Sequence, residues 1–239
     1  GHTDDTMTTK TNFEAHMPYT FDVWGVETLG TPDLATLQQY DLIFLYENGV
    51  SGQSEAVGNA VYSYFMDGGN VVIATFYWQD RGAGYFDNTG WGNLETVDPF
   101  VSALINGEYG NRYSETCVLD TASMMTHPLT DGITSLSVPT YCGGVTAKPE
   151  ATVAAYWTNG DPAIGYTELG QCQRIVGVTM FPPMENYGGF TGDFYKAFEN
   201  AISFANNDCN QIPELGSVLA VGVAVIGALA GFFLLRKRA

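Results

Sequence analysis

Residues 215–235 form a run of 21 positions without a charge, built mainly from Val, Ala, Leu, Ile, Gly and Phe. No other feature of the chain restricts its folding as much. As an α-helix rising 1.5 Å per residue, a run of this length reaches about 30 Å, the thickness of a bilayer's hydrocarbon core. A buried core helix is the alternative, but the run is apolar on every side and carries no polar stripe. It ends in Arg236, Lys237 and Arg238, and such basic clusters stay on the cytoplasmic side. The expectation is therefore a transmembrane helix within residues 214–239. The protein would be a single-pass cell-surface protein in contact with the lipid bilayer, its bulk extracellular and its C-terminus cytoplasmic. Gly227 and Gly231 have the Gly-xxx-Gly spacing of helix contacts in lipid, a spacing that also arises by chance in a Gly-rich run.

Ahead of this run stand Ile212, Pro213, Glu214, Leu215 and Gly216. Together with the apolar stretch and the basic end, they resemble C-terminal sorting signals of the Pro-Glu-Pro type. That resemblance implies a sorting enzyme of the exosortase or archaeosortase type as a partner. A plain membrane anchor accounts for the same residues.

The rest of the chain is strongly acidic. It has 26 Asp and Glu against 9 Lys and Arg over 239 residues, for a formal net charge of −17. Three of the nine basic residues sit in the last four positions. Such a surface repels phosphate backbones, which excludes nucleic acid as a partner. It suits a solvated, self-repelling exterior or, as a sharper reading, cation binding. Four cysteines, Cys117, Cys142, Cys172 and Cys209, lie outside the apolar run. An even number in an extracellular body implies disulfides. Sequence proximity favours Cys117–Cys142 and Cys172–Cys209. With three histidines and no C-x-x-C spacing, neither a metal site nor a cofactor is expected.

Strands and helices alternate along residues 20–206. Short strands are expected at 21–26, 42–46, 71–76, 116–119, 152–157, 163–167 and 174–180. The continuous apolar runs among them are typical of buried parallel strands. Thr31 is expected to cap a helix that has Pro32 in its first turn. Ala56, Val57, Ala60, Val61, Tyr64 and Phe65 form one helical stripe, which Gly68 and Gly69 end. Asp98-Pro99 is expected to start a helix over 97–105, and residues 190–205 form a strongly amphipathic one. Residues 207–213 read as a linker between the globular domain, 1–206, and the anchor.

The segments Tyr40-Asp41-Leu42-Ile43-Phe44-Leu45 and Asp67-Gly68-Gly69-Asn70-Val71-Val72-Ile73-Ala74 resemble the first half of class I glutamine amidotransferase-like domains. The turn at His127-Pro128-Leu129-Thr130-Asp131-Gly132-Ile133 and the stretch 153–205 are similar to the trehalose-utilisation-protein-like branch of that superfamily. The resemblance implies a flavodoxin-like α/β fold, a parallel sheet with helices on both faces. That fold opens with a central strand which residues 1–5, expected as a loop, do not supply. An N-terminally truncated domain with a gap between the strands at 21–26 and 42–46 is therefore expected.

The resemblance also says where chemistry would sit: a nucleophilic Cys after the strand at 71–76, with a later His and Glu. Here that turn reads Thr75-Phe76-Tyr77-Trp78, and the later region, residues 181–186, has no His. A thiol without a base within reach is a weak nucleophile, and here the thiol itself is missing. No catalytic residue is expected. In open parallel sheets ligands bind beyond the strand C-terminal ends, so Glu47, Asn48, Thr75, Tyr77, Trp78, Asp80 and Glu185 are the candidate ligand-binding residues. Aromatics with carboxylates suit a carbohydrate or a cation; alternatively, the aromatics simply fill the vacant slot. The first functional reading is a non-catalytic extracellular domain acting in surface binding, interaction or envelope architecture, with a carbohydrate or a surface protein as its partner. The second is a carbohydrate-active or other hydrolytic ectoenzyme, which requires Glu47, Asp80, Glu185 or His127 to converge. A cation-dependent adhesive module is the third.

Overall fold

The apolar runs at 42–46 and 71–74 have side chains directed to both faces, so each strand needs cover on both sides. The computed structural model, which describes residues 2–47, 53–79, 90–105, 108–170, 172–206, 222–228 and 231–236, provides it. In chain order its main elements are α1 (His2–His16), β1 (Thr20–Val23), β2 (Tyr40–Glu47), α2 (Ser54–Met66), β3 (Asn70–Ala74), β4 (Thr152–Tyr156), β5 (Pro162–Leu169), β6 (Gln173–Val178), α3 (Phe194–Asn206), β7 (Gly222–Ala228) and β8 (Gly231–Arg236). The eight strands form one sheet in the order β1-β7-β8-β2-β3-β6-β5-β4, with a further pairing of β7 to β2.

Side-chain alternation divides the core in two. Leu42, Phe44, Tyr46, Val72, Ala74, Val176 and Val178 face the layer that holds α1 and α3. Ile43, Leu45, Val71, Ile73 and Ile175 face the layer that holds α2. Helix α3 buries Phe194, Ala197, Phe198, Ala201, Ile202 and Ala205 at spacings of three and four. Each large apolar side chain buried this way contributes about 2 kcal/mol. Helix α1 places Thr6, Thr9 and Phe13 inward at similar spacing, and Met17, just past its end, is buried as well. Phe13 stacks 5.8 Å from Phe44 and also meets Phe198.

The sheet is mixed rather than parallel. β1, β7, β2, β3 and β6 run parallel where they pair directly, whereas β5 is antiparallel to β6 and to β4. Only three residues separate β5 from β6, and a connection that short returns the chain antiparallel. Gly170 and Cys172 take positive φ there.

The apolar tail departs furthest from expectation. Among the described residues no helix is long and apolar enough to cross a membrane. Residues 222–228 and 231–236 are strands instead. β7 pairs in parallel with β1 (Phe21↔Val223) and β2 (Phe44↔Val225), and β8 runs antiparallel to both β7 and β2. They occupy the position between β1 and β2 where a gap was expected. The transmembrane helix, and the single-pass cell-surface placement in a lipid bilayer built on it, are thereby corrected. A uniformly apolar run has no polar contrast to separate the helical period from the strand period. Val223, Val225 and Ile226 are β-branched and suit a strand. The sorting-signal residues 212–216 and the linker 207–213 lie outside the described residues.

Three smaller expectations also change. Residues 2–5 begin helix α1 and are not a loop. Asp33, not Thr31, caps the helix Leu34–Leu37, its carboxylate accepting the Thr36 amide at 2.8 Å. The expected helix over 97–105 is extended: Phe100–Ser102 pairs antiparallel with Val145–Ala147. The Asp98 carboxylate is buried against the Lys148 ammonium and does not cap a helix. Cys117 and Cys142 form a disulfide, Cα to Cα 6.3 Å. Cys209, the expected partner of Cys172, lies outside the described residues.

Candidate functional site

The parallel strands β2 and β3 end side by side, at Glu47 and Thr75. The Phe76 amide donates to the Glu47 carbonyl at 3.1 Å and so holds the two ends together. Glu47 follows Ile43 and Leu45 by alternation and lies on the α2 face, where it is 1% exposed. Thr75, Tyr77 and Trp78 are equally buried. Tyr77 stacks on Trp91 at 4.9 Å and meets Trp78 edge-on, while the Trp91 indole N–H donates to the Tyr77 carbonyl at 2.8 Å. Helix α2 can approach this stack because residue 58 is glycine. A Cβ there would lie 1.9 Å from the Trp91 carbonyl oxygen.

On the other face, Phe76 turns toward Phe181 and Tyr141, at 4.7 and 5.0 Å between ring centroids. Tyr187 closes on Tyr141 and Phe181. The place where the amidotransferase resemblance puts a nucleophile and its base is therefore filled on both faces by aromatic rings.

Glu47, Thr75, Tyr77 and Trp78 are brought together. Glu185 stands apart, on the face covered by α1 and α3, where its carboxylate accepts from Asn12 and Tyr195. The burial of Tyr195 and this carboxylate together push the Tyr195 hydroxyl pKa upward. Asn48 and Asp80 lie outside the described residues. His127 lies toward the opposite end of the parallel strands, with Arg174 of β6 and Phe204 of α3. Among the described residues, the carboxylates of Glu47 and Glu185 and the imidazole of His127 do not converge.

Among the described residues, several polar atoms near the strand ends are buried without a hydrogen-bond partner: Thr75 Oγ1, Trp78 Nε1, Ser54 Oγ at the start of α2, and both side-chain polar atoms of Asn111. Buried groups of this kind are normally completed by ordered water or a bound polar molecule. Asn111 is held near Trp78 by its neighbour Gly110, where a Cβ would lie 1.6 Å from the Trp78 carbonyl oxygen. Neither Ser54 nor Asn111 stands in a motif, and sequence reasoning passed over both. Only the folded chain places them. Among the described residues, no group of three or more His, Cys, Asp or Glu side chains is arranged to hold a metal ion.

A concavity of about 480 Å³ lies between the turn at 126–131 and helix α3. His127 forms part of its wall. The ring Nδ1 accepts the Leu129 amide at 3.2 Å, and burial together with the Arg174 charge lowers the imidazole pKa.

No protein-family model matches the chain, and no curated protein matches it. Similar folds occur among solved structures. Cytoplasmic protein STM3548 of Salmonella typhimurium is 16% identical with a TM-score of 0.50, over 72% of this chain and 74% of that one. Cytoplasmic protein STM1381 of Salmonella typhimurium LT2 is 14% identical with a TM-score of 0.46, over 73% of each chain. Both are cytoplasmic proteins by name. At this identity the likeness concerns the fold alone.

Proposed function

We propose that this chain is a non-catalytic binding or interaction domain on an amidotransferase-like α/β scaffold. The observation that carries this reading is the filling of the strand ends. Where a nucleophile would follow β3, the turn is Thr75-Phe76-Tyr77-Trp78, buried between Trp91 on one face and Phe181 on the other. A nucleophile must be reachable and have a base within hydrogen-bond distance, and among the described residues neither condition holds for Thr75. The order β1, β7, β2, β3, β6 of the parallel strands, interrupted by the antiparallel β8 between β7 and β2 and with helices on both faces, supports the scaffold assignment. The unpartnered polar atoms around Thr75, Trp78 and Asn111 support binding rather than turnover.

The test is a turnover assay on the full chain with glutamine, aryl esters and aryl glycosides, alongside Glu47→Gln and Glu185→Gln. Rates at the blank level are expected for all three proteins. A rate well above the blank that falls at least tenfold in either variant would give the chain a catalytic carboxylate and overturn the reading.

A further inference from the structure

The concavity beside α3 has a chemistry that nothing at the strand ends shares. One end is charged: Lys196, Glu199 and Asp131 line it, and the Lys196 stem rests against Gly132. The other end is aromatic and hydroxylic, with His127, Phe204 and Ser203. The Phe204 and His127 rings meet edge-on at 4.8 Å.

The groove is built rather than incidental. Asn200, buried in α3, donates to the Asp131 carbonyl at 2.7 Å and to the Leu129 carbonyl at 3.4 Å, which pins the turn to the helix. Arg174 lies 4.2 Å from the Phe204 ring centroid and donates to the Phe204 carbonyl at 2.7 Å, which fixes that end of the helix from behind. Because Nδ1 of His127 is engaged by the Leu129 amide, the neutral ring carries its proton on Nε2 and can donate it to a ligand.

Both signs of charge occur at one end. A simple anion would meet Asp131, Glu199 and a chain of net charge −17. A simple cation would find acidic side chains over the whole surface and no reason to prefer this groove. A molecule carrying both charges can place its carboxylate on Lys196 and its ammonium between Asp131 and Glu199. Lys196 and Glu199 now pair with each other at 3.1 Å, partly in solvent. An exposed pair of this kind is worth less than about 1 kcal/mol, so opening it costs little. Phe204 and His127 then offer apolar surface to the rest of the ligand. The volume falls in the ordinary range of small-molecule sites, about 300–1,000 Å³.

We propose that the groove formed by the 126–131 turn and α3 binds a free α-amino acid with an apolar side chain. The proposal goes beyond the reading of the strand ends and does not depend on their being inert.

L-leucine is titrated into the full chain and followed by calorimetry and by the imidazole proton resonances. The chain has three histidines, and His127→Asn identifies the signal of His127. Leucine is expected to bind saturably and to move the His127 resonance. The amine lacking the carboxylate (3-methylbutylamine), the acid lacking the ammonium (4-methylpentanoate) and glycine, which lacks the apolar group, should each bind at least tenfold more weakly. Lys196→Met and the exposed-site variant Asp131→Asn should each weaken leucine at least tenfold, and Glu55→Gln, exposed in the first turn of α2 on the other side of the sheet, should leave it unchanged. An unmoved His127 resonance would overturn the proposal. So would analogues that bind as well as leucine, or groove variants that bind like the parent. Turnover at the strand ends would overturn only the reading of non-catalytic function.

Discussion

His127 combines three roles in one ring. It caps the short turn that follows, accepting the Leu129 amide through Nδ1, packs at 5.3 Å on Tyr166, and lines the groove beside α3. Protonation would put a hydrogen on Nδ1, where the ring must accept one, and a second positive charge near Arg174. Burial and Arg174 accordingly lower its pKa in the folded chain. In the unfolded chain the imidazole titrates near its ordinary value of about 6.5. The unfolded state therefore binds more protons in the window below that value, and stability falls with falling pH there. The contribution is fully present above about pH 6.5 and is lost as the pH drops toward the lowered folded value. Chemical denaturation at pH 7.5 and pH 5 should show this loss. His127→Asn keeps an acceptor for the Leu129 amide without a titrating ring, and it should flatten that part of the profile. An unchanged slope would mean that the imidazole does not sense the fold.

The strand pair β5–β6 depends on two glycines. Gly165 and Gly177 are direct cross-strand partners, and the Phe100 ring lies over both. A Cβ on Gly177 would lie 2.6 Å from Phe100 Cε2, and one on Gly165 would lie 2.7 Å from the Thr152 carbonyl oxygen. The second obstacle is backbone and cannot move aside, whereas the first is a side chain. Gly177→Ala should cost about 2 kcal/mol by overpacking. Shortening the ring in Phe100→Leu should recover part of that loss in the double variant, and a double-mutant cycle on urea midpoints measures the coupling. Purely additive costs would show that the ring does not require the glycine. This element also marks where sequence reasoning stops. The stripe from Val57 to Phe65 and the face Phe194–Ala205 were legible because their apolar spacing matches the helical period, and residues 42–46 because an apolar run that short suits a buried strand better than a helix. Phe100–Ser102 was not, since Asp98-Pro99 carries a helix-start signal locally. The strand is set by two distant partners, the glycine pair and Lys148. The strand-end position of Glu47 and Thr75 was legible from the alternation of strands and helices. The opposite facing of Glu185 was not, because it follows from which layer the 184–186 turn joins after β6. The tail was misjudged for a different reason: an unbroken apolar run reads the same in either period, and its pairing with β1 and β2 is a contact across some 180 residues.

For the molecule as a whole, the acidic excess and the sheet pull in opposite directions. The sheet, its two helical layers and the Cys117–Cys142 link hold the chain together through buried apolar surface. The surface carries a net charge of −17 and few lysines with which to pair it. The ion pairs with both partners mostly buried, Arg112–Asp161 and Lys148–Asp98, use two of the nine basic residues. Most carboxylates therefore repel one another over distances that salt screens. The Debye length is about 10 Å at 0.1 M salt and about 3 Å at 1 M. Self-repulsion of this kind destabilises the compact state relative to the expanded chain. Raising sodium chloride from about 0.1 M to about 1 M should then stabilise the fold by roughly 1–2 kcal/mol, seen as a melting temperature several degrees higher. Potassium chloride should act equally, since screening does not distinguish the two cations, and a divalent salt should add only its greater ionic strength. A larger rise with calcium at matched ionic strength would show specific cation binding and displace screening as the explanation. A melting temperature that does not respond to any salt would mean that the acidic side chains are too far apart, or too well solvated, to oppose folding at all.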